Sequence, residues 1–306
     1  ERATGLPYTE NHVVMTVGAG GALNALLKAL LDPGDEVLVP SPFFVEYRFY
    51  VDNHNSVCKL VETADDFSLD LAAIEEAISD KTKIVLVNSP NNPTGKVYDT
   101  KAIEDLGELL RKKSSELGRT IYLMSDEPYR KIVYDGVKVP SIFTSYKDSI
   151  IGTSYSKDIS IPGERIGFIA INPAATYRQE LIAGMTVANR ILGFVNAPAL
   201  MQRVVACMQG MSVEISEYAR KREILCSGLA ELGYEFIKPP GTFYLFPRSP
   251  IPDDVEFTNA LKEERVLVVP GSGFDGPGYF RIAFCVDDEV IINSMPGFQK
   301  VIERYK

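Results

Sequence analysis

"KIVLVNSPNNPTG", residues 83–95, is the stretch from which the fold follows. Ile84, Val85, Leu86 and Val87 form an apolar run without a polar alternation. A strand with no polar face has both faces covered, the condition of a central strand in a parallel sheet flanked by helices. The run empties into a loop of asparagines, prolines and a glycine, all turn formers. From about Thr100 a helix is expected, because Leu106, Leu109 and Leu110 recur at helical spacing while Arg111, Lys112 and Lys113 suit solvent.

The same rhythm continues in both directions. Toward the N-terminus, LDLAAIEEAIS (69–79) reads as an amphipathic helix, and SVCKLVE (56–62) and EVLVP (36–40) as strands. DPGD (32–35) stops a helix spanning residues 21–31, in which Asn24 and Lys28 lie four apart on one side. GAGG (18–21) precedes that helix and follows a short strand, VVMTV (13–17). Toward the C-terminus, TIYLMSDE (120–127), SIIGTSYS (149–156) and RIGFIAIN (165–172) add three strands. Alternating strands and helices imply an α/β sheet with helices on both faces. After about residue 210 the texture changes to a long helix (213–232) and the short strands FYLFP, RVLVVP and YFRIAF. The expected division is a large domain over residues 1–210 and a smaller α+β domain over 211–306, tightly docked.

Bulk properties narrow the function. The chain has 306 residues and a formal net charge of −9, so its surface as a whole does not attract a polyanion, and nucleic acid is a poor partner. Cys58, Cys207, Cys226 and Cys285 are scattered without a CxxC pair, and His12 and His54 are the two histidines. A disulfide framework and a metal site are therefore not expected, and a reducing cytoplasm is. No apolar run approaches the length of a membrane span and no signal peptide is visible.

Ligands of open α/β sheets collect at the carboxyl ends of strands. Four expected strands end in chemistry-bearing residues: VVMTV in GAGG, IVLV in NSPNNPTG, IYLM in SDEPY, and IIGT in SYSK. The last is followed by a Pro-Gly turn and an arginine, "SYSKDISIPGERIGF" (154–168), which places Lys157 where burial is expected. With "GAGGAL", "NNPTG", "SDEPY", "PPGTFYLF", "VPGSGF" and "FRIAF" in order along the chain, the sequence resembles the pyridoxal-phosphate aminotransferases of fold type I, classes I and II. The resemblance implies a mostly parallel seven-stranded-type sheet in the large domain, pyridoxal 5′-phosphate as cofactor, and amino-acid and 2-oxo-acid substrates. It also implies a homodimer with the active site at the interface. The chain opens with ERATGLPYTENH, without methionine, and the family carries an N-terminal segment that completes the small domain, so that part is expected to be absent.

The resemblance assigns roles residue by residue. Lys157 would form a Schiff base with the cofactor aldehyde and, once freed, carry a proton as general base and acid. Asp126 would keep the pyridine nitrogen protonated; its bland alternative is a helix cap, and Glu127 is a rival carboxylate. Tyr129 and Asn92 would hydrogen-bond the cofactor 3′-oxygen, although Asn92 also suits a turn before Pro93 and Tyr129 plain packing. Ala19 and Gly20 would offer backbone N–H groups to the phosphate, Ser154 a hydroxyl and Arg165 a fork of donors. Gly18-Ala19-Gly20 lacks the hydroxyl residue many family members carry there, which shifts the expected grip onto Ser154 and Arg165. A nucleotide loop of the GxGxxG kind is disfavoured because GAGGAL lacks the third glycine. Phe44, or failing it Phe43, would stack on the ring. Arg281 would clamp the substrate α-carboxylate across a cleft, with a surface salt bridge as its alternative. Arg190 reads as a helix-surface arginine. A C–S β-lyase uses the same residues and is the first alternative activity; a non-catalytic cofactor-binding regulatory domain is the second.

Overall fold

The computed structural model describes residues 5–305. Among the described residues the main sheet has seven strands: β1 (Val13–Thr16), β2 (Glu36–Ser41), β3 (Val57–Glu62), β4 (Thr82–Asn88), β5 (Tyr122–Asp126), β6 (Ser149–Ser154) and β7 (Gly167–Ile171). Their order across the sheet is β1-β7-β6-β5-β4-β2-β3, and β7 alone runs antiparallel to both of its neighbours.

Strand parity divides the side chains between two helical layers. Val37, Val39, Ile84, Leu86, Tyr122, Met124, Ile150, Ile169 and Ile171 pack in one cluster with α1 (Gly18–Leu30), α2 (Glu46–Asp52) and the helix Arg178–Ile191. The alternate residues, among them Leu38, Val85, Val87, Leu123 and Ile151, pack in the opposite cluster with α3 (Leu71–Ala77) and α4 (Thr100–Leu117). This two-sided burial is what the apolar run of β4 requires: Ile84 through Val87 are each at most 1% exposed. α3 and α4 start on aspartates, Asp70 and Asp99, whose carboxylates accept from the backbone N–H three residues on. α4 stops at Gly118, in the left-handed conformation at φ 62°.

A third cluster lies in the C-terminal part. The helices Ile215–Leu232 and Asp288–Arg304 pack around a small sheet of β8 (Tyr244–Leu245), β9 (Val269–Pro270) and β10 (Phe280–Ala283), with β10 in the middle. The strands expected from FYLFP and RVLVVP shrink to two residues each, because Leu245 and Tyr244 pair only with Ile282 and Ala283, and Pro270 and Val269 only with Phe280 and Arg281. Tyr129, Ile132 and Tyr134 also enter this cluster. Among the described residues no helix is long and apolar enough to cross a membrane.

One segment ties the two parts together. The NNPTG turn ends at Gly95, where φ is 74° and a Cβ would come within 2.3 Å of Pro239. The Gly95 carbonyl accepts from the N–H of Gly241, and a Cβ on Gly241 would lie 2.8 Å from Pro90. Two glycines thus let this loop press against residues 239–241 without side chains between them.

Candidate active site

The sheet register brings the chemistry-bearing strand ends to one edge. Asn88 at the end of β4 pairs with Asp126 at the end of β5, and Asp126 with Gly152 of β6. Ser154 at the end of β6 and Thr16 at the end of β1 both oppose Gly167. Gly167 has no room for a side chain: a Cβ would sit 2.4 Å from the Thr153 carbonyl and 2.9 Å from Gly18 Cα. This glycine, two residues after Arg165, therefore lets the lysine-bearing loop and the head of α1 meet.

A cavity of about 290 Å³ opens at that edge. It is lined by all ten expected site residues, drawn from α1, α2, the strand ends and the C-terminal part. Asp126 shares strand parity with Tyr122 and Met124, so it emerges on the α1 side, whereas Glu127 emerges on the other and pairs with Arg130 at 2.7 Å. Asp126 is 4% exposed. Its Oδ2 accepts from the Tyr47 hydroxyl at 2.6 Å, and its Oδ1 is buried without a hydrogen-bond partner among the described residues. Burial pushes its pKa from the ordinary 3.8 up to about 7, against the Tyr47 hydrogen bond, which pulls down.

Lys157 is half-buried, with Nζ 5.6 Å from the centroid of the Phe243 ring. Among the described residues no carboxylate pairs with it. Desolvation, aided by Arg165 and Arg281, lowers its pKa, with the nearby Cys285 opposing. An amine so placed is more often neutral and nucleophilic than a surface lysine.

Asn92 is fixed twice. Its backbone N–H donates to Asn88 Oδ1 at 2.7 Å, and Asn88 in turn donates to the Asp126 carbonyl at 2.8 Å. Its own Oδ1 accepts from Arg281 Nη1 at 2.8 Å. The Arg281 guanidinium is sandwiched between the rings of Tyr244 and Phe274, 4.4 Å from each centroid, and its buried Nε lacks a partner among the described residues. Arg281 is thus an inward-facing residue of the middle strand rather than a surface ion pair. Tyr129 is buried, its hydroxyl 3.1 Å from that of Tyr244.

The other end of the cavity is a cup for an anion. α1 begins at Gly18 with Val17 as its cap, three residues earlier than expected, so Ala19 and Gly20 lie in its first turn. The reason is that first-turn N–H groups have no intrahelical partner, so early glycines cost the helix little. Arg165, in the left-handed conformation at φ 50°, donates to the Pro162 carbonyl and lies 3.2 Å from where a Gly18 Cβ would be. Ser154 is buried beside them. Phe44 lines the cavity and is partly open to it; Phe43 is 1% exposed and belongs to the core. Arg190 is exposed on the helix Arg178–Ile191.

Sequence reading missed Tyr47, Asn88, Tyr50 and Tyr244. Tyr47 precedes Tyr50 by three residues, a spacing that would have placed both on one face of α2 had that helix been expected. Asn88 had the signal of a polar residue closing the wholly apolar run of residues 84–87.

The donor set fits pyridoxal phosphate: an orphaned carboxylate oxygen for a ring nitrogen, an unpaired amine for an aldehyde, an aromatic face, and a helix head with an arginine for a phosphate. These features define a pyridoxal-phosphate protein of fold type I. A family model for aminotransferase class I and II matches residues 2–293, and the chain belongs to that family, whose members use this cofactor. Among relatives, the aspartate/prephenate aminotransferase of Thermus thermophilus is 33% identical over 99% of this chain and 78% of its own. The aromatic-amino-acid aminotransferase 2 of Thermococcus litoralis is 31% identical over 97% of this chain and 77% of its own. A crystal structure of an amino transferase from Eubacterium rectale superposes with a TM-score of 0.96 at 41% identity, covering all of this chain and 77% of that one. Among the described residues no group of histidine, cysteine and carboxylate side chains could hold a metal ion.

Proposed function

We propose that the cavity is where this aminotransferase moves the amino group of an amino acid to a 2-oxo acid, with Lys157, Asp126 and Tyr129 as its catalytic residues. When bound, the pyridoxal ring supplies the electron sink for the charge left on the substrate α carbon. Lys157 would hold the cofactor at its aldehyde and would supply, at Nζ, the base for the proton on the substrate α carbon. Asp126 would face the ring nitrogen and favour a proton there. Asn92 and Tyr129 orient the 3′-oxygen, and Phe44 covers one ring face. Ala19 and Gly20 N–H groups, Ser154 and Arg165 hold the phosphate. Arg281 offers the donors not spent on Asn92 to the substrate α-carboxylate, a bidentate geometry that lysine lacks.

The observation that carries this reading is the Asp126 carboxyl, buried with one oxygen held by Tyr47 and the other unpartnered, in the same cavity as the unpaired Lys157. A buried carboxylate without a second partner is costly, and a protonated ring nitrogen offsets that cost. We further infer that the chain divides near residue 210, into a cofactor-binding part and a smaller part that carries Arg281. By analogy with the family it works in the cytoplasm as a homodimer.

Borohydride reduction of the cofactor-loaded protein, followed by peptide mapping, is expected to leave the cofactor's mass on Lys157. Adding an amino acid without an acceptor is expected to yield one equivalent of its 2-oxo acid per site. Label on another lysine defeats the assignment of Lys157. Pyruvate, ammonia and sulfide released from cysteine, with no transamination of any donor, would make the protein a β-lyase instead.

A further inference from the structure

We propose that Tyr50 is a further phosphate ligand of the cofactor cavity, supplying from α2 the hydroxyl that the Gly18-Ala19-Gly20 turn lacks. The inference rests on the reading that this cavity holds pyridoxal phosphate.

Three observations carry it. The Tyr50 hydroxyl lies 3.1 Å from the point a Cβ on Gly20 would occupy, so it stands where a side chain from the turn would stand. Arg165 closes over Gly18 in the same manner, with Nη2 3.2 Å from that residue's absent Cβ. Two donors from outside the turn therefore cover two side-chain-free positions at the head of α1. Both side chains line the cavity that Ala19, Gly20 and Ser154 also line.

In the structure the Tyr50 hydroxyl donates to the carboxylate of Glu46, one helical turn earlier. A hydroxyl has one proton to give, so Glu46 and a phosphate compete for it. Glu46 is exposed, and when released its carboxylate exchanges the hydroxyl for water at little cost. A phosphate at the helix head, beside Arg165, is less hydrated, and a hydrogen bond to it is strengthened accordingly. The phenol keeps its proton at neutral pH, because burial and Glu46 both raise its pKa. Glu46 thus orients the ring when the cup is unfilled and opposes the phosphate when it is filled.

The test titrates the full-length, cofactor-free protein with pyridoxal phosphate, with pyridoxal, and with inorganic phosphate as a competitor, each followed by the absorbance of bound pyridoxal. Tyr50→Phe is expected to weaken pyridoxal phosphate binding about tenfold, the scale of one hydrogen bond to a charged group less its exchange with Glu46. Competition by inorganic phosphate should weaken by a similar factor, while binding of pyridoxal stays within about twofold, since pyridoxal has no group in the cup. Glu46→Gln is expected to tighten pyridoxal phosphate about threefold, and to do less in the Tyr50→Phe background, where there is no shared proton. Unchanged pyridoxal phosphate affinity in Tyr50→Phe overturns the proposal. So does an equal loss for pyridoxal, which would put Tyr50 against the ring or in the packing. If the unaltered protein takes up no pyridoxal phosphate, the cofactor reading itself falls.

Discussion

Asp126→Asn is expected to stabilise the cofactor-free protein in a pH-dependent way while weakening its hold on the cofactor. The Asp126 carboxyl titrates at about 7 in the folded chain, against an ordinary 3.8, chiefly because burial disfavours its charge. Folded chains therefore keep a proton that unfolded chains have already released. Stability is lost as pH rises from about 4 to about 7, and the full penalty persists above that. Carried through the linkage relation, the penalty is about 4 kcal/mol at pH ~8 and about 1.5 kcal/mol at pH ~5. The amide carries no such charge, and whatever fixed cost it brings is the same at both pH values. The gap in stability between variant and unaltered protein should thus widen by about 2.5 kcal/mol from pH ~5 to pH ~8. For a chain of this length that is about 4 °C in melting temperature. The assay is thermal unfolding of both cofactor-free proteins at the two pH values, and taking the difference cancels the titrating groups that do not interact with Asp126. A gap of equal size at both values would refute the reasoning, because it would mean that Asp126 is not a desolvated acid. With cofactor added, the order should reverse: the unaltered protein gains more, since only it offers a negative oxygen to the ring nitrogen.

Three further outcomes are expected. Tyr47→Phe removes the 2.6 Å hydrogen bond that favours the ionised carboxylate, so the Asp126 pKa should rise by a further ~1–2 units; carbon NMR of labelled aspartate reads it directly. Arg281→Lys keeps the charge but loses the fork held between Tyr244 and Phe274, and should raise KM for the amino donor about 30-fold with a smaller change in kcat, measured in steady state. Gly95→Ala and Gly136→Ala share a positive φ, 74° and 73°, but only at Gly95 would the new methyl meet Pro239, while Gly136 has open space. Gly136→Ala should therefore cost about 1 kcal/mol and Gly95→Ala at least about 3 kcal/mol in urea unfolding; equal costs would show that the contact with Pro239 is soft.

Much of the sheet was readable from periodicity, because its strands carry their burial in their own residues: Ile84 to Val87 announce two covered faces without reference to anything distant. Lys157, Asp126, Asn92 and Arg281 were readable for a different reason, their setting in short motifs that resemble a family. What stayed hidden depends on contacts across the chain. Nothing near Tyr47 marks it as the partner of Asp126, 79 positions on, and nothing near Tyr244 marks its approach to Tyr129, 115 positions back. The early start of α1 was hidden because glycine argues against a helix everywhere except at its ends. The apolar run RVLVV reads as a strand, yet only its last residue, Val269, with Pro270 after it, finds a partner in β10, and Leu267 is 79% exposed.

Gly167 presses on Thr153 and Gly18, and Gly95 presses on Pro239, with main chain or ring carbon as the neighbour that would have to give way. Such contacts leave an engineer nothing to trim or enlarge. Diversity aimed at new donors is therefore best confined to Glu46, an exposed side chain on the same chamber that can be exchanged like a tile, while those glycines serve as grout.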